Sequence, residues 1–169
     1  DPANVIEESS YGVGGGNTGV VLASSDALAI LNTGEILDIS DPEDIVLQAT
    51  LDNGEWVDAV VSGDRLFVID TVGLIKIFSL ENLQSPVATP VAASATYTTN
   101  GAASGLTIDG DTLYVADGTQ GLVALDVSDL IASPSLISEL TLSGDAQRVV
   151  VAGQKAYVAL DSQLFAIVD

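Results

Sequence analysis

Four polar residues that follow short apolar stretches are the best candidates for binding a ligand or a cation. They are Asn32, Asp70, Asp117 and Asp161. The first three lie four residues after Leu28, Leu66 and Leu113, which are aligned positions of successive apolar stretches. Asp161 lies five residues after Ala156, the aligned position in the last stretch. If the strands before them share one direction, these side chains converge into a polar ring, and converging carboxylates favour a counter-charge such as calcium. The alternative is that each side chain stabilises its own turn by bonding to the backbone.

Trp56 and Asp58 are two further candidates for the same surface. Trp56 is the single Trp of the chain and opens an apolar stretch shortly after Glu55. An exposed indole beside carboxylates stacks well on a sugar ring, so one hypothesis is a glycan site. The alternative is that Trp56 fills a gap between layers of the fold, where its large apolar area is buried.

Catalytic chemistry has little support in the sequence. The chain contains no His and no Cys, which removes the commonest general base and all thiol chemistry. The segment Asp109-Gly110-Asp111 is a fragment of a calcium loop without its distal acidic positions, and it is read as a hairpin turn. The sequence therefore predicts a protein that is not an enzyme, with no cofactor other than a possible calcium ion.

The charge balance restricts the partners. The net charge is −20, from 24 acidic and 4 basic residues. Such a surface repels nucleic acid and anionic membranes, and no apolar run approaches the roughly 20 residues that span a bilayer. A protein or glycan partner, or a second copy of the chain, is expected instead. Solubility, adaptation to salt and calcium binding all remain possible reasons for the acidity.

The apolar stretches recur in units of four short strands, about 40 residues long, separated by Gly, Asp and Asn turns. Four units are predicted, at residues 20–54, 55–105, 106–145 and 146–169. This pattern is typical of a single all-β domain, a four-bladed β-propeller with four-stranded antiparallel blades. A β-sandwich also has short strands, but it does not need four copies of one unit. In the second unit the fourth strand is expected within 87–95, followed by an insertion loop at 96–104.

The turn and strand at residues 114–128 resemble a known repeat. The matching segments are Tyr114-Val115-Ala116-Asp117-Gly118, Gly121-Leu122 and Leu125-Asp126-Val127-Ser128, with a second copy of the ending at Leu37 to Pro42. They resemble the LVIVD-type repeats of secreted and surface β-propellers. The second unit departs from the pattern, with Phe78-Ser79-Leu80 in place of Asp-x-Ser. The resemblance implies a propeller fold, and it implies no particular activity.

The last unit has room for one more strand, and residues 4–9 form a strand that belongs to no unit. We expect this N-terminal strand to pair with the last one and to complete the fourth blade. The assembly strands would then be represented by Val5, Ile6, Leu164, Ala166 and Val168. The pairing occurs within one chain, or between neighbouring subunits as strand donation. A third possibility is that the chain is an excerpt of a larger surface propeller.

The first residues bear on localisation. The chain contains no Met and begins Asp1-Pro2-Ala3-Asn4, which is typical either of the end left after removal of a signal peptide or of an artificial boundary, and we favour the first. We therefore expect a secreted or cell-surface protein, a binding or scaffold module that uses an acidic face. The alternative function is a structural subunit of an extracellular assembly or filament.

Overall fold

The computed structural model of the protein describes residues 21–24, 27–52, 55–83, 90–129, 132–161 and 164–169. The predicted N-terminal strand, with Val5 and Ile6, lies outside the described residues. The predictions that depend on it are taken up again as proposals below.

The described residues form short strands, as expected from apolar, β-branched runs that are interrupted by Gly and Asp. The strands are β1 (Val21–Ser24), β2 (Leu28–Leu31), β3 (Glu35–Asp38), β4 (Val46–Thr50), β5 (Trp56–Ser62), β6 (Arg65–Asp70), β7 (Leu74–Ser79), β8 (Ala95–Thr98), β9 (Gly105–Asp109), β10 (Thr112–Ala116), β11 (Leu122–Asp126), β12 (Ser135–Leu140), β13 (Ala146–Ala152), β14 (Lys155–Leu160) and β15 (Phe165–Val168). A short 3-10 helix spans Leu80–Leu83. The part of the chain that the structure describes holds no helix long and apolar enough to cross a membrane.

Within each of four consecutive sheets, every strand pairs antiparallel with the strand next to it in sequence. Sheet 1 has the order β1-β2-β3-β4, sheet 2 has β5-β6-β7-β8, and sheet 3 has β9-β10-β11-β12. Sheet 4 has three strands among the described residues, in the order β13-β14-β15. The prediction of an all-β chain built from repeated antiparallel units is confirmed.

The fourth strand of sheet 2 lies later than the sequence suggested. β8 spans Ala95–Thr98 and pairs with β7 through Ile77 opposite Ala95 and Leu74 opposite Thr98. The predicted insertion loop at 96–104 therefore begins with a strand. The threonines and the tyrosine of β8 favour extended backbone. The small residues that follow them are typical of a loop, which is why the sequence predicts a loop for the whole segment.

The sheets pack in the order of the sequence, with their first strands side by side. β5 packs against β1 on one side and β9 on the other, and β9 packs against β13. Each pair of consecutive sheets encloses an apolar layer. Leu28, Phe78 and Trp56 belong to the layer between sheets 1 and 2, and Phe67, Ile75 and Leu113 to the layer between sheets 2 and 3. Tyr114, Val149 and Val158 belong to the layer between sheets 3 and 4. The arrangement is propeller-like.

This order gives the molecule two ends. The turns between second and third strands lie beside the start of the next sheet: the Trp56 amide donates to the Asn32 carbonyl at 2.8 Å, and the Ala146 amide donates to the Gly118 carbonyl at 2.9 Å. We call this the upper end. The turns between first and second strands, and the connections from third to fourth strands, lie at the other end of the antiparallel sheets, which we call the lower end.

Candidate functional site

Asp70 ends β6 at the upper end, and its carboxylate holds the turn that follows. Its Oδ1 accepts hydrogen bonds from the amides of Val72 at 3.0 Å and Leu74 at 2.9 Å. The side chain is buried. An Asp that caps two amides of its own turn is the local arrangement that turn chemistry favours.

Asp117 is the equivalent residue in sheet 3, and it is fully buried. Its Oδ1 accepts from the Thr99 hydroxyl at 2.7 Å and its Oδ2 from the Gly101 amide at 2.9 Å. Burial raises the pKa of the Asp117 carboxyl, and the hydrogen bonds from Thr99 and Gly101 partly offset that effect. The charge of Glu139 adds to the increase. Asp117 thus ties the turn of sheet 3 to the segment that leads out of sheet 2.

Asn32 and Asp161 do not occupy the position of Asp70 and Asp117. Strands β2 and β3 pair Ile30 with Ile36, whereas β6 and β7 pair Ile69 with Ile75. Leu31 is therefore the equivalent of Asp70, and Asn32 lies one residue further on, as Asp161 does. The predicted equivalence of Asn32 with Asp70 and Asp117 is wrong by one residue. All four residues of β2 are buried, so its apolar pattern has no alternation that would fix the register in the sequence.

The side chain of Asp161 also takes part in a local contact, because its Oδ1 accepts from the Asp145 amide at 3.0 Å. The carboxylates of Asp70, Asp117 and Asp161 therefore all accept backbone amide hydrogen bonds at the upper end. No group of three or more His, Cys, Asp or Glu side chains among the described residues has the arrangement of a metal site.

Trp56 lies in the layer between sheets 1 and 2 and is only 4% exposed. Its ring meets Phe78 edge to face, with centroids 6.2 Å apart, and the Lys76 ammonium lies 4.9 Å from the indole centroid. A ring that is buried to this degree presents no face to a sugar. The position agrees with the alternative that Trp56 fills a gap between layers. Lys76, which the sequence did not single out, is itself buried, with Asp52 Oδ1 at 3.8 Å.

Asp58 lies on the first strand of sheet 2 and connects three sheets. Its Oδ2 accepts from the Leu106 amide of β9 at 3.0 Å and from the Arg148 guanidinium of β13 at 2.7 Å. Because these strands are the innermost ones, the contact lies where sheets 2, 3 and 4 meet. Asp58 was predicted as a surface residue, and Arg148 had no predicted role. No sequence signal relates them, since they are distant in the chain.

The lower end carries carboxylates of a different kind. In each Asp-x-Ser segment the aspartate accepts a hydrogen bond from the serine two residues later. Asp38 Oδ1 accepts from Ser40 Oγ at 2.6 Å, and Asp126 Oδ1 accepts from the Ser128 amide at 2.8 Å. The hydrogen bonds from these serines hold the pKa of each aspartate below its usual value. Around them lie exposed carboxylates that we call the acidic face: Asp41, Glu43, Asp44, Asp64, Asp109 and Asp111.

Two basic residues lie at this end, and both have partners. The Arg65 guanidinium donates to the Val127 carbonyl and lies 5.2 Å from the centroid of the Phe67 ring. Lys155 pairs with Asp169. The segment Asp109-Gly110-Asp111 is the turn between β9 and β10, with a φ of 56° at Gly110. The acidic face thus combines exposed carboxylates with little available positive charge.

The predicted assembly strand in sheet 4 is β15, whose flanking Leu164 is exposed, whereas Ala166 and Val168 are partly buried. A groove of about 610 Å³ lies next to it, between the outer strands of sheets 3 and 4. Its apolar lining includes Tyr114, Leu122, Ile137, Leu140 and Val168. β15 has one strand neighbour among the described residues, β14.

Comparisons with known proteins identify a repeat within residues 100–169 and a fold. Residues 100–141 and 143–169 match the model of the LVIVD repeat, and these residues include the motif at 114–128. No curated protein matches the chain.

Among solved structures, the chain is similar to the computationally designed Ika4 protein, with a TM-score of 0.64, 13% identity, and 91% of this chain and 92% of that chain covered. It is similar to the designed Ika8 protein, with a TM-score of 0.61, 10% identity and coverage of 87% and 45%. A chain of the Mitotic Checkpoint Complex gives a TM-score of 0.64, 11% identity and coverage of 86% and 46%. The chain therefore spans less than half the length of the last two, and at these identities the similarity is one of fold.

Proposed function

Since this chain carries LVIVD repeats at residues 100–141 and 143–169, we propose that it is a secreted or cell-surface β-propeller that acts as a non-enzymatic binding and scaffold module. Its four sheets are four blades, and the acidic face is the surface that binds. The partner is a protein or glycan surface that presents positive charge, or one that shares calcium ions with the carboxylates.

The observation that carries this proposal is the different use of carboxylates at the two ends. At the upper end, the carboxylates of Asp70 and Asp117 are buried and accept backbone hydrogen bonds. At the lower end, the carboxylates of the acidic face are exposed. Exposed carboxylates of one sign raise the local negative potential and attract cationic partners. The lower end is therefore the better candidate for a partner surface.

A charge-neutralisation experiment tests the proposal with poly-lysine as the probe. The face variant carries Asp41→Asn, Glu43→Gln and Asp44→Asn. The control variant removes the same charge elsewhere, with Glu55→Gln, Glu139→Gln and Asp145→Asn. We expect poly-lysine to bind the wild type at low salt, more weakly as salt rises, and several-fold more weakly to the face variant than to the control. Equal loss in both variants would show that binding follows net charge alone, which rejects the acidic face as the site.

A second candidate function is a structural subunit that assembles through its N-terminal strand. It is supported by sheet 4, in which the described residues form three strands with β15 outermost, and by the groove next to β15. In this proposal residues 4–9 pair with β15, within the chain to complete the fourth blade or in a neighbour to build an assembly. Removing the strand then exposes the edge again.

Deletion of residues 1–12, followed by light scattering and thermal unfolding, distinguishes pairing within the chain from pairing between chains. Pairing within the chain predicts a monomer whose Tm falls by several degrees on deletion. Pairing between chains predicts an oligomer that dissociates on deletion. An unchanged mass together with an unchanged Tm would eliminate the N-terminal strand as a structural element.

A further inference from the structure

A pocket of about 280 Å³ opens at the lower end of the layer between sheets 1 and 2. Its apolar wall includes Leu28, Val61 and Leu80, and its polar wall includes Asp38 and Gln48. Sites that hold a whole small molecule usually have roughly 300–1,000 Å³, so a pocket of this size suits a single long side chain. We call it the lower pocket.

The hairpin of β2 and β3 is short at this end, which leaves room for the pocket. Each of its strands has four residues, whereas β6 and β7 have six each. Counted from the upper turn, Asp38 lies opposite Leu28 as Ile77 lies opposite Phe67. A carboxylate therefore occupies the position at which sheet 2 has a buried isoleucine.

A β-bulge brings Gln48 to the polar wall. Ile36 pairs with Ala49 and Leu37 pairs with Leu47, so Gln48 is the extra residue of β4. Bulges redirect side chains, and Gln48 is only 9% exposed. Its amide has no hydrogen-bond partner among the described residues, although burying an unpaired amide costs free energy. An amide in this position is available to a polar group that enters the pocket.

The charge around the opening is negative. Ser40 and Gly63 line the pocket, and each is followed by an exposed residue of the acidic face, Asp41 and Asp64. Hydrogen bonds from Ser40 hold the pKa of Asp38 below its usual value, so this carboxylate is charged at neutral pH. No described Lys or Arg lines the pocket. The lower pocket therefore favours a cation.

The next layer shows how the corresponding place is filled within the chain. Leu80 corresponds to Val127, because their amides donate to the carbonyls of Asp64 and Asp111 in equivalent turns. In the layer between sheets 2 and 3, the Arg65 guanidinium donates to the Val127 carbonyl. An arginine of the chain itself thus lies where the next layer has the lower pocket.

We propose that the lower pocket receives an arginine side chain of a protein partner. The methylene stem packs on Leu28 and Leu80, since arginine buries its stem along apolar surface. The planar guanidinium donates to the Asp38 carboxylate and to the Gln48 amide oxygen at the same time, because its N–H groups form a fork. The inference rests on the proposed function, since it names the side chain by which a cationic partner of the acidic face is recognised.

A short peptide tests the proposal on the full, unsubstituted chain. The probe is an acetylated and amidated tripeptide with arginine between two glycines, and its control has citrulline, the uncharged isostere. In NMR spectra of the labelled protein, we expect the arginine peptide to shift the amide signals of Leu28, Gly63 and Leu80, with a Kd in the millimolar range. The citrulline peptide should bind at least about fivefold more weakly. Equal binding of the two peptides, or shifts confined to other parts of the protein, overturns the proposal.

Asp38→Asn and Asp126→Asn form a matched pair of variants. Both aspartates lie in Asp-x-Ser segments and accept from the serine two residues later, but of the two only Asp38 lines the pocket. We expect Asp38→Asn to weaken binding of the arginine peptide at least about fivefold, and Asp126→Asn to weaken it less than about twofold. Equal effects assign the binding to net charge and overturn the pocket.

The two proposals fail in different ways. Poly-lysine binding that the face variant weakens, together with arginine-peptide binding that Asp38→Asn leaves intact, overturns the lower pocket and keeps the acidic face. An arginine peptide that binds through Asp38, together with poly-lysine binding that falls equally in the face and control variants, supports the pocket and rejects the acidic face.

Discussion

At the scale of single residues, the environment of a carboxylate decides its use. Asp70 and Asp117 end equivalent strands, yet their partners differ, since Asp70 binds amides of its own turn and Asp117 binds Thr99 and Gly101. The first arrangement follows from local turn chemistry. The second requires two segments that are separate in sequence. Asp117 is therefore a contact between sheets as well as a turn residue.

Asp117→Asn tests this role through pH. A raised pKa in the folded state means that the folded protein binds this proton more tightly than the unfolded chain. Asp117 therefore makes wild-type stability rise as pH falls through its folded pKa, and this rise levels off below the ordinary aspartate pKa of 3.8. The Asn variant lacks this contribution. We expect the stability of the wild type relative to Asp117→Asn to be greater at pH 4 than at pH 7.

Urea unfolding at both pH values measures this difference, and Asp117→Ala serves as the comparison. The Ala variant leaves the Gly101 amide without its partner and should cost about 1–3 kcal/mol. If the difference between the wild type and Asp117→Asn stays constant with pH, the pKa of Asp117 is not raised by folding.

Lys76 is the second residue whose environment is unusual. Its ammonium lies over the Trp56 ring and close to Asp52 in the layer between sheets 1 and 2. Replacing one member of a buried ion pair leaves the other charge without its partner, and this lowers stability. Because the Asp52 side chain is about one-third exposed, we expect Lys76→Met to cost about 1–3 kcal/mol, less than the loss of one member of a fully buried pair. Lys76→Ala should cost about 2 kcal/mol more through the cavity that it leaves. Fluorescence of Trp56 during urea unfolding gives both values.

At the scale of elements, the glycines in the turns have two different functions. Gly121 has a φ of 88°, and a Cβ there would lie 2.2 Å from the Leu140 carbonyl oxygen of β12. Gly110 has a φ of 56°, but a Cβ there would meet nothing within 4 Å. The turn before β11 therefore needs glycine for conformation and for space, whereas the turn between β9 and β10 needs it for conformation alone.

Gly121→Ala and Gly110→Ala form a matched pair that separates the two effects. Gly110→Ala should cost about 1 kcal/mol, the usual penalty of a left-handed residue that has a Cβ. Gly121→Ala should cost at least about 3 kcal/mol, because the Leu140 backbone must move and β12 must shift against β11. Thermal or urea unfolding ranks the variants, and equal costs would contradict the close approach at Gly121.

At the scale of the whole molecule, Asp58 joins the innermost strands of three sheets. Its bonds to the Leu106 amide and to Arg148 connect sheet 2 with sheets 3 and 4. Arg148 is more than half exposed along its side chain, whereas Asp58 is mostly buried. The bond to the amide is thus better shielded from water than the ion pair.

A double-mutant cycle at Asp58 and Arg148 tests how the sheets are held together. Arg148→Met should cost less than about 1 kcal/mol, as is common for a solvent-exposed pair. Asp58→Ala should cost about 1–3 kcal/mol, because it leaves the Leu106 amide without its acceptor. Urea unfolding of both single variants and the double variant gives the coupling. If the cost of Arg148→Met equals that of Asp58→Ala, the ion pair dominates the contact and the amide bond contributes little.

The sequence by itself determined the succession of strands, the antiparallel pairing and the LVIVD motif at 114–128. The reason is that hairpins depend on neighbours in the chain and on turn residues whose preferences are local. The structure alone decided the register of β2, whose four apolar residues lack alternation, and the strand at Ala95–Thr98. It also decided where the candidate side chains lie and which residues they contact. Trp56 is enclosed by a neighbouring sheet and Asp58 contacts residues that are distant in sequence, because packing between sheets depends on their positions in space.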